Sequence, residues 1–257
     1  MIRLQKLAPS GTILIDAPST HNALSREMIQ QLIDAFSDFH RDKSVRAVIL
    51  SATGATFCSG VNLSEWHSTS QELDALEIWK ELADEILELI ESMLRLPKPI
   101  IAAVDGAALG LGLALVLASD LVVATKKASF VAPAARLGLV SGIVAPLLSF
   151  RCGGSVAARI LLGNESIDGD EAHRLHIVHR LVPSDLVWAS ANEWAKHIAA
   201  GAQESVQMTK RLLNEMIGEN LVSHLASGAA MMATACSTEA AVEGLNAFMQ
   251  KRPPKFP

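Results

Sequence analysis

The sequence predicts an α/β fold: a spiral of strand–strand–helix units followed by a wholly helical C-terminal region. Three observations carry this expectation. Short β-branched runs alternate with amphipathic helical periods through the first two-thirds of the chain. The strand, strand, helix rhythm returns without an exact sequence repeat. From about residue 185 onward only helical patterns remain. We place a spiral core at residues 1–197 and a helical oligomerisation region at residues 198–257.

In chain order, residues 12–16 (TILID) alternate weakly and read as a strand, and residues 18–22 form a turn. Ser25 can cap a helix over residues 26–40, with Met28, Leu32, Phe36 and Ile29, Ile33 at four-residue spacing. Residues 45–50 give the next strand. Residues 64–96 read as a polar lead-in and a long amphipathic helix. Leu82, Ile86, Leu89, Ile90 and Met93 make its apolar stripe; Glu81, Glu85, Glu88 and Glu91 make a solvated face rather than a site. A run from Pro99 to Val104 ends in Asp105-Gly106, AALGLGLALVLAS reads as a buried helix stopped by Asp120, and LVVA as another strand.

Residues 155–163 are helical and stopped by Gly163. Asp168 can cap a short helix reaching Leu175, and residues 177–183 read as a strand ended by Pro183. Helices follow over about 185–200, 203–217, 220–236 and 238–250, the last two joined near Ser237. Alternating Ala, Met and Leu at 225–235 is too apolar to face water alone and predicts packing against another subunit.

At 257 residues and 50% apolar content the chain can bury a sizeable core. A net charge of −5 without a basic run argues against a nucleic-acid partner. Cys58, Cys152 and Cys236 are odd in number and far apart, which suggests reduced thiols in a cytosolic setting. The N-terminal residues lack the apolar core of a signal peptide, and the longest uncharged apolar run, residues 106–118, is too short to span a bilayer. We therefore expect a cytoplasmic protein without a membrane partner. With no tyrosine in the chain, no tyrosine acid is available.

Two stretches carry candidate chemistry. In residues 98–142 a glycine-containing turn opens onto a helix, presenting free N–H groups at the positive end of the helix dipole. Such a turn can hold an anion, or a carbonyl oxygen that becomes one during reaction. The same glycines equally suit close packing of a strand on a helix. Residues 45–63, VRAVILSATGATFCSGVNL, supply a strand, a polar turn and a second loop.

Together these stretches resemble the enoyl-CoA hydratase/isomerase (crotonase) superfamily. FCSGVNL is similar to its F-C-A-G-A-D-L loop, and KPIIAAVDGAALGLGLALVLASDLVVA to its K-P-x-I-A-A-V-x-G-x-A-x-G-G-G-x-E-L…C-D-x-x-x-A segment. The resemblance runs from HNALS at 21–25 to KRPPKF at 251–256. It implies the crotonase spiral, a helical C-terminal region that makes trimers often stacked as hexamers, and an acyl-CoA substrate. Coenzyme A is then part of the substrate, and no separate cofactor is expected.

The chemistry implied is enolate stabilisation by two backbone amides, here those of Val61 and Leu111. The family usually has glycine at the second position. A leucine amide donates equally well at negative φ, but leucine is strained at positive φ, and its side chain can narrow the pocket. The family's two glutamates fall at Ala114 and Ala134, the latter in FVAPAARLG against F-x-x-P-E-x-x-x-G. A methyl group transfers no proton, so neither glutamate-based hydration nor double-bond isomerisation is supported.

Possible substitutes are Ser141, where a later loop approaches the acyl group, and Glu65 and His67 after the first loop; otherwise these are turn and exposed-loop residues. Cys58 reads as a small core residue. His173 and His176 could share a helix face, but nothing completes a ligand set with His179, so no metal site is expected.

CoA recognition is expected around Asn22, Ala23 and Leu24 and the loop Ser59, Gly60, Val61, Asn62, Leu63. Asn62 replaces the family's Asp, and Ser19 or Thr20 its basic residue before the turn. Leu109, Leu111, Leu113, Pro133 and Val140 suggest an apolar pocket beside Ala114 and Ala134. Phe248 and Lys251 match tail residues that in the family reach a neighbouring subunit's CoA site; the alternative is an ordinary solvated tail. The resulting expectation is an acyl-CoA enzyme using decarboxylase, lyase or hydrolase chemistry. The alternative is a non-catalytic acyl-CoA binding protein.

Overall fold

The computed structural model describes residues 1–216 and 220–256. The chain opens with an element that periodicity does not reveal: β1 (Ile2–Leu7), antiparallel to β2 (Ser10–Ile15). Its side chains are mostly exposed, so no apolar pattern marks it. β2 is buried and runs parallel to β3 (Ala47–Ala52). Beyond β3 the sheet continues through β5 (Ile100–Val104), β7 (Leu121–Ala124) and β10 (Arg180–Leu181), giving six strands in the order β1-β2-β3-β5-β7-β10.

A second sheet of four strands has the order β4-β6-β8-β9, made by β4 (Thr56–Cys58), β6 (Ala107–Leu109), β8 (Ser129–Val131) and β9 (Ile167–Asp168). Successive pairs β3/β4, β5/β6 and β7/β8 each place one strand in each sheet, which is the expected spiral of strand–strand–helix units. β6 corrects the sequence reading, which ran helix through residues 107–109. Pairing with both β4 and β8 holds these residues extended.

Ser25 caps α1 (Arg26–Arg41), its side chain accepting from Met28 N at 3.2 Å. Met28, Leu32 and Phe36 are buried as the spacing predicts. The polar lead-in contains a short helix, α2 (Leu63–Thr69), before α3 (Ala75–Arg95). The apolar stripe of α3 is wholly buried, while Arg26 gathers Glu81 and Glu85 on its wet side. α4 (Leu111–Ala118) is buried at every position.

α5 (Val144–Cys152) has no counterpart in the sequence reading. Pro146 disguises it, yet a proline in the first turn is tolerated because those N–H groups lack helical acceptors. α6 (Gly154–Leu162) follows, and Asp168 Oδ1 accepts from Glu171 N at 2.9 Å to cap α7 (Gly169–Arg174). The strand expected over 177–183 shrinks to β10, and His179 lies just before it.

The C-terminal helices are α8 (Val187–Ala200), α9 (Gln203–Arg211) with a π-helical continuation Leu212–Met216, α10 (Leu221–Cys236) and α11 (Glu239–Met249). Residue 217, the expected end of the second of these, lies outside the described residues. α10 packs on α3 and α5 of its own chain, burying Leu225, Ala229, Met232 and Ala233. α3 thus covers one face of the 225–235 stretch, while Ala226, Ala230 and Met231 on the other face stay exposed. Lys210 of α9 reaches into the core, with Nζ 2.7 Å from Asp120 Oδ2 and donating to Met93 O and Lys98 O. Among the described residues no helix is long and apolar enough to cross a membrane.

Candidate active site

The site begins with a pinned turn. Asn22, fully buried at φ 56°, accepts from Ala17 N at 2.8 Å and donates through Nδ2 to Thr53 O and Thr56 O at 2.8 and 2.7 Å. The turn is thereby tied to the start of β4. Leu24 N donates to Gly60 O at 2.7 Å, and Asn62 N to Leu24 O at 2.8 Å. Leu24 bridges Val61 as a short parallel pair, so the residues flanking Val61 make the backbone bonds to this side. Alternation along an extended chain points the Val61 N–H the other way.

The second amide comes from the start of α4. Gly110, at φ 52°, precedes the helix and donates its N–H to Val131 O at 2.9 Å. Leu111 opens the helix, so its amide has no acceptor one turn back and sits at the positive dipole end. Leu111 is not among the residues at positive φ; Gly110 takes that conformation instead, and the strain envisaged for leucine does not arise. The two loops touch at Gly60, where an added Cβ would lie 3.0 Å from Leu109 O and 3.4 Å from Leu111 N.

Val61 and Leu111 both line a cavity of about 760 Å³. Ala23, Ser59, Gly60, Asn62 and Leu63 form one side of it, and Leu109, Pro133, Ala134 and Ser141 another. Other expected residues lie elsewhere. Leu24 and Leu113 are buried behind the wall, and Ala114 is enclosed in α4 with no accessible surface.

Glu65 accepts from Arg26 N at 3.1 Å and from Asn62 Nδ2 at 3.0 Å, stapling α2 to α1. His67 Nε2 donates to Asn246 Oδ1 at 2.9 Å, fastening α2 to α11. Neither reaches the cavity lining, because both serve the packing of α2. Lys251 is exposed on the tail, and Phe248, itself half-exposed, borders the cavity of its own chain.

Burial pushes the Cys58 thiol up to about 12, leaving it protonated at neutral pH. His173 Nδ1 donates to Val178 O at 2.9 Å, and His179 Nδ1 accepts from Val122 N at 3.0 Å. These histidines serve the backbone, and burial pulls His179 below its ordinary range. Among the described residues no cluster of His, Cys, Asp or Glu could hold a metal.

Sequence reasoning missed much of the wall: Trp66, Ile86, Ile143, Val144 and Met232. Helical spacing marked Ile86 as part of an apolar stripe without saying that the core opens there. It also missed His21 and Arg136, the only ionisable side chains in the lining among the described residues. No Asp, Glu, Lys or Cys lines the cavity among the described residues.

A spiral of paired strands, with a largely apolar ligand cavity where two loop amides meet, defines the class of protein. Residues 10–257 match the enoyl-CoA hydratase/isomerase family, and the chain belongs to it. It is 30% identical over 245 residues to the 2,3-dehydroadipyl-CoA hydratase of Escherichia coli, covering 95% of this chain and 93% of that one. It is 28% identical over 247 residues to the 1,2-epoxyphenylacetyl-CoA isomerase of the same organism, covering 95% and 94%. Among solved structures, an enoyl-CoA hydratase/isomerase from Xanthobacter autotrophicus superposes with a TM-score of 0.89 at 28% identity, over 100% of this chain and 98% of that one.

Proposed function

We propose that this protein is an enzyme that binds an acyl-CoA thioester and stabilises its enolate through the amides of Val61 and Leu111, without a glutamate acid–base pair. The carrying observation is the composition of the cavity: Val61 and Leu111 both line it, and no carboxylate does among the described residues. Both Escherichia coli relatives bear names of enzymes acting on CoA thioesters, which supports the ligand class. The adenosine arm would meet Ala23 and the backbone of residues 59–63. Coenzyme A is part of the substrate, and no separate cofactor is invoked.

Decarboxylation suits such a site best. The bond between the α-carbon and the departing carboxylate breaks, CO2 leaves, and the electron pair passes into the thioester as an enolate. Two amides aimed at the enolate oxygen lower the barrier, each by roughly 3–4 kcal/mol. Water then returns a proton to the α-carbon. Ser141 lines the cavity and is the remaining side chain for orienting water in lyase or hydrolase variants of this reading; His67 is withdrawn from that role by its bond to Asn246.

The test is to incubate the protein with malonyl-type and crotonyl thioesters of CoA and follow CO2 release and hydration separately. Rapid hydration of crotonyl-CoA would count against the reading. Tight binding without turnover of any thioester would favour the second reading, a non-catalytic acyl-CoA binding protein. We also infer a homotrimer or hexamer in the cytosol. Exposed Met208, Leu212 and Leu213 on α9 and its continuation supply an apolar surface, and Cys58, Cys152 and Cys236 are free thiols. A single monomer-sized species in sedimentation at micromolar concentration would sink the assembly.

A further inference from the structure

Arg136 stands apart from the other residues of the cavity. It lies on the 3-10 turn Ala134–Leu137, two residues beyond the position of the family's second glutamate, exposed at the cavity rim, and among the described residues it is the one permanently charged side chain in the lining. Its Nη2 donates to Asn164 O at 2.7 Å, a neutral carbonyl that steadies the guanidinium without neutralising it. Arg26, Arg159 and Arg252 are each met by carboxylates. Among the described residues Arg136 has no such partner, and no carboxylate lines the cavity that could become one.

The segment that carries Arg136 is also closely packed. A Cβ on Gly138 would lie 2.1 Å from Ala240 O, one on Gly244 2.0 Å from Leu137 O, and one on Gly142 2.0 Å from Gly228 O. Backbones of α10 and α11 therefore press directly on the segment at three points, which sets where the exposed side chain of Arg136 stands at the cavity rim.

We propose that Arg136 binds an anionic oxygen group carried by the thioester ligand, and so helps set which acyl-CoA this protein selects. The inference rests on the acyl-CoA reading above and adds the charge that the ligand presents to this wall. A guanidinium offers a planar fork of donors that matches a carboxylate or a phosphate oxygen pair. Two parts of the ligand carry such oxygens: a carboxylate on the acyl group, and the phosphates of the coenzyme.

Four stable probes separate these sources. A butyryl and a glutaryl group are each joined through an amide, NH replacing the thioester sulfur, to CoA and to pantetheine. Binding is measured by calorimetry for the wild type, Arg136→Gln and Arg136→Lys. Loss of about tenfold in affinity in the Gln variant, for glutaryl probes on both carriers and largely restored by Lys, assigns the acyl carboxylate. The same loss for both CoA probes and neither pantetheine probe assigns the coenzyme phosphates. Unchanged affinity for all four probes overturns the inference. So does an equal loss for all four that Lys does not restore, since the neutral butyryl pantetheine probe reports only on packing. Failure of the wild type to bind either CoA probe would overturn the acyl-CoA reading itself, and the role of Arg136 with it.

Discussion

Ala114 lies within α4, with no accessible surface and with buried residues on both sides along the helix. The resemblance puts the family's first glutamate here, so Ala114→Glu is the obvious attempt to restore a hydratase. The packing predicts a different result. Forcing a longer side chain into a filled core costs about 1–3 kcal/mol. An unpaired carboxylate is not tolerated in such surroundings, so the group must be protonated. Against an ordinary pKa of about 4.3, that costs about 3.7 kcal/mol at pH 7. The combined loss, about 5–7 kcal/mol, approaches the whole stability of an ordinary domain.

Urea denaturation at pH 7 and pH 5 tests both parts. The folded pKa is raised above the unfolded one, so the variant is least penalised below the unfolded pKa and loses stability as pH rises. Its deficit should therefore be about 2.7 kcal/mol smaller at pH 5 than at pH 7. A variant within about 1 kcal/mol of wild type at pH 7, with a gain in hydration of crotonyl-CoA, would refute the reasoning. It would mean that the new side chain escapes into the cavity and that Ala114 borders the site after all.

Ala134 does line the cavity and is half-buried, so Ala134→Glu should fold. It should raise crotonyl-CoA hydration about 10²–10⁴-fold, followed by loss of the conjugated-thioester absorbance. A wild-type turnover of about 10 s⁻¹ or more would show that another group supplies the proton transfer. Lys210→Met should lose about 3–5 kcal/mol in urea titrations, because it takes from Asp120 its direct ion-pair partner and leaves the Ile100 amide and the nearby Arg151 charge; unchanged stability would remove this ion pair as the staple of α9. Hydrogen bonds from Arg252, with one from the Lys255 amide, hold Glu243 down at about 2. Its folded pKa lies below the ordinary 4.5, so the tail contact is complete above that value and fades as pH falls toward 2. Carbon-13 NMR of the Glu243 carboxyl should give a midpoint near 2; one near 4.5 would show the tail undocked.

Where local pattern and burial agree, the elements were legible. The helix capped by Ser25, the stripe of α3 and the cap at Asp168 follow from residue spacing and from side chains that satisfy their own backbone. β1 was not legible, because an exposed edge strand carries no apolar alternation and is held by its backbone pairing with β2. Nor was α5, because a proline in its first turn imitates a break.

The sequence by itself determined the class of the chain and the residue types at its two candidate loops. Two loops separated by some fifty residues bear glycines where backbones must approach, and alanine stands at the two positions, 114 and 134, that the resemblance aligns with the family's glutamates. Those are statements about residue types at fixed spacing, and no coordinate is needed to make them. Tertiary structure decided which of the candidates share a cavity. Val61 and Leu111 come to one wall because Gly60 allows the loops to touch, while Glu65 and His67, close to Val61 in the chain, are drawn into the packing of α2. It also decided that α3 of the same chain packs on one face of α10, that Phe248 borders the cavity, and that the exposed Arg136 stands at its rim without a carboxylate partner among the described residues. These outcomes depend on contacts between segments far apart in sequence, where a pattern along the chain shows that a face must be covered but not which element covers it.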